Sequence, residues 1–444
     1  MNIDFILNNI LEHKDSVAVI TDEHEYTYGD IYSKYQDVCE RLEEKHILAG
    51  NVVSIIAEYS PTSIAYMIAL IERNVIIVPI SKSIKNVDSY IRISESEYLI
   101  DLRDEEYSDI SATGNTVNHQ LLKDLISKGN AGLILFSSGT TGEPKAALHD
   151  LSYLMDKFKK PGKVLRTITF LLFDHIGGFN TLFHTIANAG MVITVKTREP
   201  EEICRLIEKY DIELLPTSPT FINMLLLSHA YENYDLSSLK IISYGTEPMP
   251  ESTLKHLHEL LPDVRLKQTY GLSEVGIMAT RSESSDSLWL KLGGDGFETK
   301  IVDDILYIRA KSAMLGYLNA PSPFDEDGWF NTKDKVLMKG EYIKILGRTT
   351  DLINVGGEKV YPIEVESVLL EMDGINDVRV YGSSNALTGN IVIAELNVDE
   401  QNKNRDFIKA IRRFCKDRLE SYKIPTKFIF TENELYGDRL KKKR

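Results

Sequence analysis

The first third of the chain alternates short apolar runs with amphipathic stretches, and that rhythm narrows the available folds more than any other feature. VAVIT (17–21) reads as a strand, and DIYSKYQDVCERLEEKHI as a helix with apolar residues at helical spacing. VVSIIA follows as a strand, PTSIAYMIALIERN as a helix and VIIVPI as a strand again. Buried strands alternating with helices predict α/β layers on a largely parallel sheet. The pattern returns at TITFLLF, MVITVKT, IELLPTS and LKIISYG. From about Gly293 the texture changes, and KIVDDILYIRA and EYIKILGR read as antiparallel strands joined by tight, charged turns. After Arg348 a compact α+β unit begins, with the helices IEVESVLLEM and RDFIKAIRRFCKDRLE and the strands DVRVYGSS and IVIAELNV. A chain of 444 residues exceeds what one core usually serves. The expectation is a large multi-layer α/β domain with parallel-rich sheets over 1–348, and a small mobile α+β domain over 349–444.

Composition removes several classes of function. A formal net charge of −15 argues against a general nucleic-acid binder, which needs a basic face to displace counterions. Cys39, Cys204 and Cys415 lie far apart without paired spacing, so neither a disulfide framework nor a zinc site is expected. The start, MNIDFILNNILEHKD, lacks the basic region and apolar core of a secretion signal. The most apolar stretch, SIAYMIALIERNVIIVPI, is interrupted by Glu72, Arg73 and Asn74, so no membrane span is expected. A cytoplasmic location follows as the expectation.

The segment LILFSSGTTGEPKAALHD carries the chemistry. An apolar strand runs into Ser137, Ser138, Gly139, Thr140, Thr141, Gly142, Glu143, Pro144 and Lys145. Small residues let backbone N–H groups approach an anion, the hydroxyls add donors and Lys145 adds a charge. Phosphate binding is the reading, although glycine, serine and threonine also fill ordinary turns. The loop lacks the Gly-Lys-Ser/Thr ending of the P-loop nucleoside triphosphatases.

SSGTTGEPK resembles the signature loop of the adenylate-forming superfamily, which includes acyl- and aryl-CoA synthetases, adenylation domains and luciferases. Further segments match in the family's order. Tyr270-Gly271-Leu272-Ser273-Glu274 resembles its aromatic-Gly-x-Thr/Ser-Glu segment. The resemblance implies Tyr270 stacked on adenine, Ser273 on phosphate and Glu274 holding Mg²⁺. Gly245-Thr246-Glu247 resembles the small-residue turn beside the adenine and acyl pocket. Asp334, in Trp329-Phe330-Asn331-Thr332-Lys333-Asp334, would take both ribose hydroxyls, with Lys333 where relatives carry glycine. Arg348 would contact ribose or phosphate, and Thr350 falls where the family has its hinge residue. Gly356 and Gly357, in NVGGEKVYP, would line a thiol channel after the small domain rotates. His175 matches a residue beside the substrate carboxylate, and Asp174 precedes it. Phe173, His175, Phe179, Tyr244, Gly271 and Ile277 would form a largely apolar acyl pocket suited to an aryl or medium-length acid.

The family's C-terminal lysine bridges carboxylate and α-phosphate, and usually follows a glycine. Here Gly437 is followed by Asp438, whereas counting sixteen residues beyond Pro425 reaches Lys441, next to Lys442 and Lys443. Lys441 is assigned the role, with Glu274 and His175 as the other catalytic candidates. The resemblance thus implies ATP- and Mg²⁺-dependent activation of a carboxylic acid as an acyl-adenylate, then transfer to the thiol of coenzyme A. An external acyl or peptidyl carrier protein is the alternative acceptor, because no carrier domain follows residue 444. A degenerate nucleotide-binding regulator is a second alternative, suggested by Lys333, Thr350 and the unusual tail. Lys157-Phe158-Lys159-Lys160 is either a solvated face or a contact for an acidic carrier or a CoA phosphate.

Overall fold

The computed structural model describes residues 3–104, 109–137, 143–385, 388–437 and 440–443. Two seven-stranded sheets organise the large domain. The first joins Val52–Ala57, Ile76–Ser81, Tyr98–Asp101 and Gly132–Ser137 in parallel. Asp109–Ala112 closes one edge antiparallel, and Lys145–Asp150 with Gly316–Tyr317 closes the other. The second sheet runs Arg265–Gln268, Ile241–Tyr244, Leu214–Thr217, Arg166–Ile168, Met191–Ile193 and Val17–Thr21, all parallel, and ends on antiparallel His24–Thr27.

The central strands read as unbroken apolar runs because both faces are covered. Every residue of Val52–Ala57 and of Ile76–Ser81 is buried. Helix Pro61–Glu72 is set by Ser60, which caps it reciprocally with Ser63, and by proline at its first turn. Thr27 and Asp30 form the same box at the start of Tyr28–Glu44. One apolar cluster unites Ile55, Ile64 and Ile68 with Leu182 and Phe183 of helix Ile176–Ile186, so this helix is fastened to the first sheet's core.

A six-stranded antiparallel sheet over 279–348 follows, in the region where charged turns and short strands were expected. Its Phe297–Val302 and Ile305–Ala310 hairpin turns on Asp303 and Asp304, both left-handed, as a two-residue connection matched to strand twist requires. The C-terminal domain has its own sheet and its own core of Ile353, Val365, Leu369, Val378, Val392, Leu396 and Ile411. Helices Pro362–Leu369 and Arg405–Lys416 belong to it. Lys427–Phe430 adds a strand parallel to Gly389–Val398.

One expected strand is shorter than its apolar run. TITFLLF is strand only over Arg166–Ile168, after which the Phe170 amide bonds to the Ile168 carbonyl and the chain turns. Residues 169–175 therefore cross the carboxyl end of the second sheet, where ligands of open α/β sheets bind. Among the described residues no helix is long and apolar enough to cross a membrane.

Candidate active site

The carboxyl ends of the second sheet deliver residues 169–175, the Gly245–Glu247 turn after Ile241–Tyr244, and Tyr270 after Arg265–Gln268. Gly245 is required there by close approach: a Cβ would sit 2.4 Å from Thr269 Oγ1 and 2.8 Å from the Thr269 carbonyl. Thr246 takes a left-handed φ of 74°, an unfavourable conformation for a β-branched residue. Glu247 then accepts the Thr220 amide at 2.8 Å, tying this turn to the start of helix Pro219–Ser228.

The short hairpin of Gly271–Leu272 and Gly276–Ile277 holds two constellations. On one side the Tyr270 hydroxyl donates to Asp334 Oδ2. Asp334 faces Arg348 across paired antiparallel strands, with Arg348 Nε 3.6 Å from Oδ1. Burial raises the Asp334 carboxyl above the usual range, against the pull of Tyr270 and Arg348. Lys333 keeps a left-handed φ of 61° where the resemblance implies glycine, so the turn into Asp334 is preserved. On the other side Glu274 Oε1 accepts the Tyr317 hydroxyl, and Lys145 Nζ lies 5.4 Å from the Tyr317 ring centroid.

Lys145 and Ser137 are cross-strand partners at the base of the phosphate loop. Ser138, Gly139, Thr140, Thr141 and Gly142 lie outside the described residues. Asn319 clamps the loop's exit, donating to the Pro144 carbonyl at 2.9 Å and accepting the Ala146 amide at 3.0 Å. Ser273 sits at the hairpin tip, its backbone beside the fully buried His149 ring, whose pKa burial lowers to about 4.

His175 stands at the N-cap of helix Ile176–Ile186, partly buried, and Asp174 is buried beside it. Phe173 and Phe179 are 3% exposed and belong to the core: Phe173 packs edge-on against Tyr59, and Phe179 lies 4.5 Å from Phe183. Tyr244 is likewise buried, in the core of the second sheet. Gly271 lets the hairpin close on Ile277, since a Cβ would meet Ile277 Cγ1 at 2.9 Å. Of the apolar candidates, Phe173, Phe179 and Tyr244 are thus buried in the core, while Gly271 and Ile277 are partly exposed.

Gly356 and Gly357 form an exposed hairpin turn, both left-handed, with the Gly357 amide on Asn354 Oδ1 at 2.9 Å. Thr350 is exposed and donates to Asp351. In the tail, Leu440 is left-handed with φ 46° whereas Gly437 is not. Leu440 thus has a left-handed backbone directly before Lys441.

Sequence reasoning passed over Tyr317 and Asn319, although Gly316-Tyr317-Leu318-Asn319 directly follows the strand-rich stretch 297–310. It also treated 157–160 as one charge run. Lys159 pairs with Asp156 and Lys160 with Asp295, but Lys157 leans over Phe158 with its pKa lowered by burial to about 8. Lys157 is exposed at the surface, with protein packed closely around its ammonium. His184, two turns along the helix that His175 caps, is held below the usual imidazole range by burial and then by Lys267 and Lys157. Lys267, on the strand leading to Tyr270, is also lowered by burial. Among the described residues neither Lys157 nor Lys267 has an ion-pair or hydrogen-bond partner for its ammonium.

The family described as AMP-binding enzyme matches residues 8–318, and its C-terminal domain matches residues 364–442. The chain belongs to this family, the adenylate-forming superfamily. A 2-succinylbenzoate–CoA ligase of Bacillus cytotoxicus is 24% identical, with 96% of this chain and 94% of that protein covered. Acyl-CoA synthetase 7 of Caenorhabditis elegans is 30% identical over 67% of this chain and 61% of that protein. Among solved structures, an anthranilate CoA ligase in complex with anthranoyl-AMP superposes with a TM-score of 0.83 at 19% identity, over 99% of this chain and 94% of that one. The o-succinylbenzoate CoA synthetase of Bacillus subtilis gives 0.78 at 20% identity, over 99% and 96%.

Proposed function

We propose that the protein is an AMP-forming carboxylate–CoA ligase whose preferred acid carries a second anionic group. The observation that carries the ligase reading is the two-sided hairpin. Tyr270 with Asp334 and Arg348 suits an adenosine, and Glu274 with Tyr317 and Lys145 suits the polyphosphate joined to it. A carboxylate with free acceptor capacity beside a lysine fits Mg²⁺, which prefers hard oxygens and phosphate. When bound through Glu274, Mg²⁺ would neutralise charge on the phosphate oxygens.

In the first half-reaction a carboxylate oxygen of the acid attacks the α-phosphorus of ATP and pyrophosphate leaves. Charge gathers on phosphate oxygens, so positioned donors and cations do most of the catalytic work. Lys145 and the loop donors Ser137, Ser138, Gly139, Thr140, Thr141 and Gly142 serve the leaving phosphates, with Ser273 at the hairpin tip. Lys441 bridges the attacking carboxylate and the α-phosphate, and His175 orients that carboxylate. Gly245, Thr246 and Glu247 line the adenine side. In the second half-reaction the thiol sulfur of CoA attacks the acyl carbon and AMP leaves. The small domain, from about residue 349 and pivoting near Thr350, brings Gly356 and Gly357 to the thiol.

The acid's second anionic group is argued from Lys157 and Lys267, two lysines that both act on the neutral His184 ring at the far end of the pocket helix. Desolvated cations lacking carboxylate partners are costly unless a ligand supplies the counter-charge. The similarity to 2-succinylbenzoate–CoA ligases supports the same reading. The test is pyrophosphate release with paired acids of equal size, one carrying a second carboxylate, for the native protein and for Lys157→Met. The expected result is a preference for the dicarboxylate that Lys157→Met reduces by at least tenfold in kcat/KM, as loss of a desolvated ion pair implies (about 1.4 kcal/mol or more). Equal use of both acids would remove this part of the reading.

A further inference from the structure

The tail carries three consecutive lysines, Lys441 to Lys443, and the middle one is held in a way that the chemistry assigned to the first does not require. Residues 435–437 and 440–443 pair through a bridge between Tyr436 and Lys442, with the Gly437 amide on the Lys441 carbonyl at 3.0 Å and the Lys443 amide on the Leu435 carbonyl at 2.8 Å. This small hairpin docks on the large domain at two points. Ser218 Oγ donates to the Leu440 carbonyl at 2.8 Å, and the Lys442 amide donates to Glu247 Oε2 at 2.9 Å. Leu440 itself enters the apolar core of the second sheet.

The Lys442 side chain runs the other way. Its ammonium donates to Asp377 Oδ1 at 2.9 Å and to the Val378 carbonyl at 2.7 Å, both in the small domain. Only 10% of the Lys442 side chain and 16% of the Asp377 side chain are exposed. Burial disfavours the charge on Lys442, but Asp377, Glu366 and Glu247 outweigh it and hold the ammonium's pKa above the ordinary lysine range. The pair lines a cleft of about 540 Å³ between the domains, which also presents Asn376 and Glu366 from one side and Thr220 and Glu247 from the other.

We propose that Lys442 is a positioning residue: its ion pair with Asp377 makes the tail rigid with the small domain, so that docking on Ser218 and Glu247 sets Lys441 at the reacting phosphate. Successive side chains of an extended segment point to opposite sides, so anchoring Lys442 in the cleft turns Lys441 away from it. The docking turn contains Glu247, which is two residues from Gly245 at the nucleotide end of the sheet. The latch serves the adenylating arrangement alone, because rotation of the small domain would carry the tail off Ser218 and Glu247. This inference rests on the ligase reading for its kinetic consequence, but not for its structural one.

The experiment compares Lys442→Met, Lys442→Arg, Asp377→Asn and the Met/Asn double variant with the native protein. Three quantities are read: pyrophosphate release at saturating ATP with the best acid of a benzoate, hexanoate and 2-succinylbenzoate panel; discharge of that acid's synthetic adenylate by CoA; and hydrogen–deuterium exchange of the tail without substrate. Lys442→Met should slow pyrophosphate release about a hundredfold, as displacement of a catalytic group by an ångström does, while KM for ATP and the adenylate discharge stay within about twofold. Lys442→Arg should retain most of the rate. Asp377→Asn should match Lys442→Met, and the double variant should be no worse than either, as expected for one shared interaction. Exchange over 435–443 should rise in Lys442→Met and in the double variant, with the core strands unchanged. Equal slowing of both half-reactions, or of neither, would overturn the proposal, as would unchanged tail exchange. If the native protein activates no acid, the ligase reading fails, and the exchange result still decides whether Lys442 secures the tail.

Discussion

Lys333 and Leu440 both adopt a left-handed backbone at positions where relatives by resemblance carry glycine. An L side chain costs roughly 1–2 kcal/mol in that conformation, so the surrounding turns hold them there. Lys333→Gly should leave the thermal midpoint unchanged or raised, whereas Lys333→Val should lower stability by about 1 kcal/mol or more; calorimetry of the two variants checks this. Tyr317 makes a different kind of contribution, since its hydroxyl orients the Glu274 carboxylate. Supporting hydrogen bonds to a metal-holding group are commonly worth about 10–100-fold, so Tyr317→Phe should raise the Mg²⁺ concentration for half-maximal rate by roughly tenfold while sparing KM for the acid. Lys157 titrates near pH 8 by its burial. Its charge is present below that pH and lost above it, so kcat/KM for a dicarboxylate should fall from pH 7 to pH 9 more steeply than for a monocarboxylate. Parallel profiles would contradict the assignment. These residues differ in how far sequence disclosed them. Asp334 and Glu274 stand inside motifs, whereas the different pairing of Lys157 from Lys159 and Lys160 depends on where Asp156 and Asp295 fall in the fold.

Elements that carry strong local signals were readable in advance. Helices Tyr28–Glu44 and Pro61–Glu72 have capping residues and helical spacing, and the strands between them are continuous apolar runs. TITFLLF was misjudged in length because an apolar run has the same appearance in a strand and in a buried crossing loop. The Ile241–Tyr244 strand ends on Gly245, where a side chain has no room beside Thr269. Gly245→Ala should therefore distort the turn and weaken ATP binding, measured by titration calorimetry, more than it lowers the melting temperature. His149 lies on the strand leaving the phosphate loop, neutral in the fold because burial brings its pKa to about 4 from 6.5. The unfolded chain binds the extra proton between those values, so this residue's contribution to stability is complete above pH 6.5 and is lost as pH falls toward 4. His149→Gln should flatten that part of the stability–pH curve.

At the scale of the molecule, the two domains meet through polar contacts and through the tail, whose Leu440 enters the apolar core of the second sheet. Asn223 donates to the Asn376 carbonyl at 3.1 Å, and Ser252 Oγ donates to the Ser367 carbonyl at 3.0 Å. Interfaces of this polar character favour relative motion, in keeping with a small domain that changes partners between half-reactions. The two-domain plan was legible from the shift in texture after Arg348. The bridging role of Lys442 was not, because it depends on Asp377, which only the fold brings to the tail. Spacing from Pro425 points to Lys441, whose role remains the proposal of the ligase reading.

The central claim is carboxylate activation followed by thioester formation on CoA, and its most direct measurement is acid-dependent pyrophosphate release from ATP with and without CoA. Aryl, fatty, amino and dicarboxylic acids form the panel. The account predicts strong release with a dicarboxylic or anion-bearing aryl acid, and the corresponding acyl-CoA only when CoA is present. An adenylate that CoA does not discharge would move the acceptor to a carrier protein, and ATP binding without release for any acid would contradict the account.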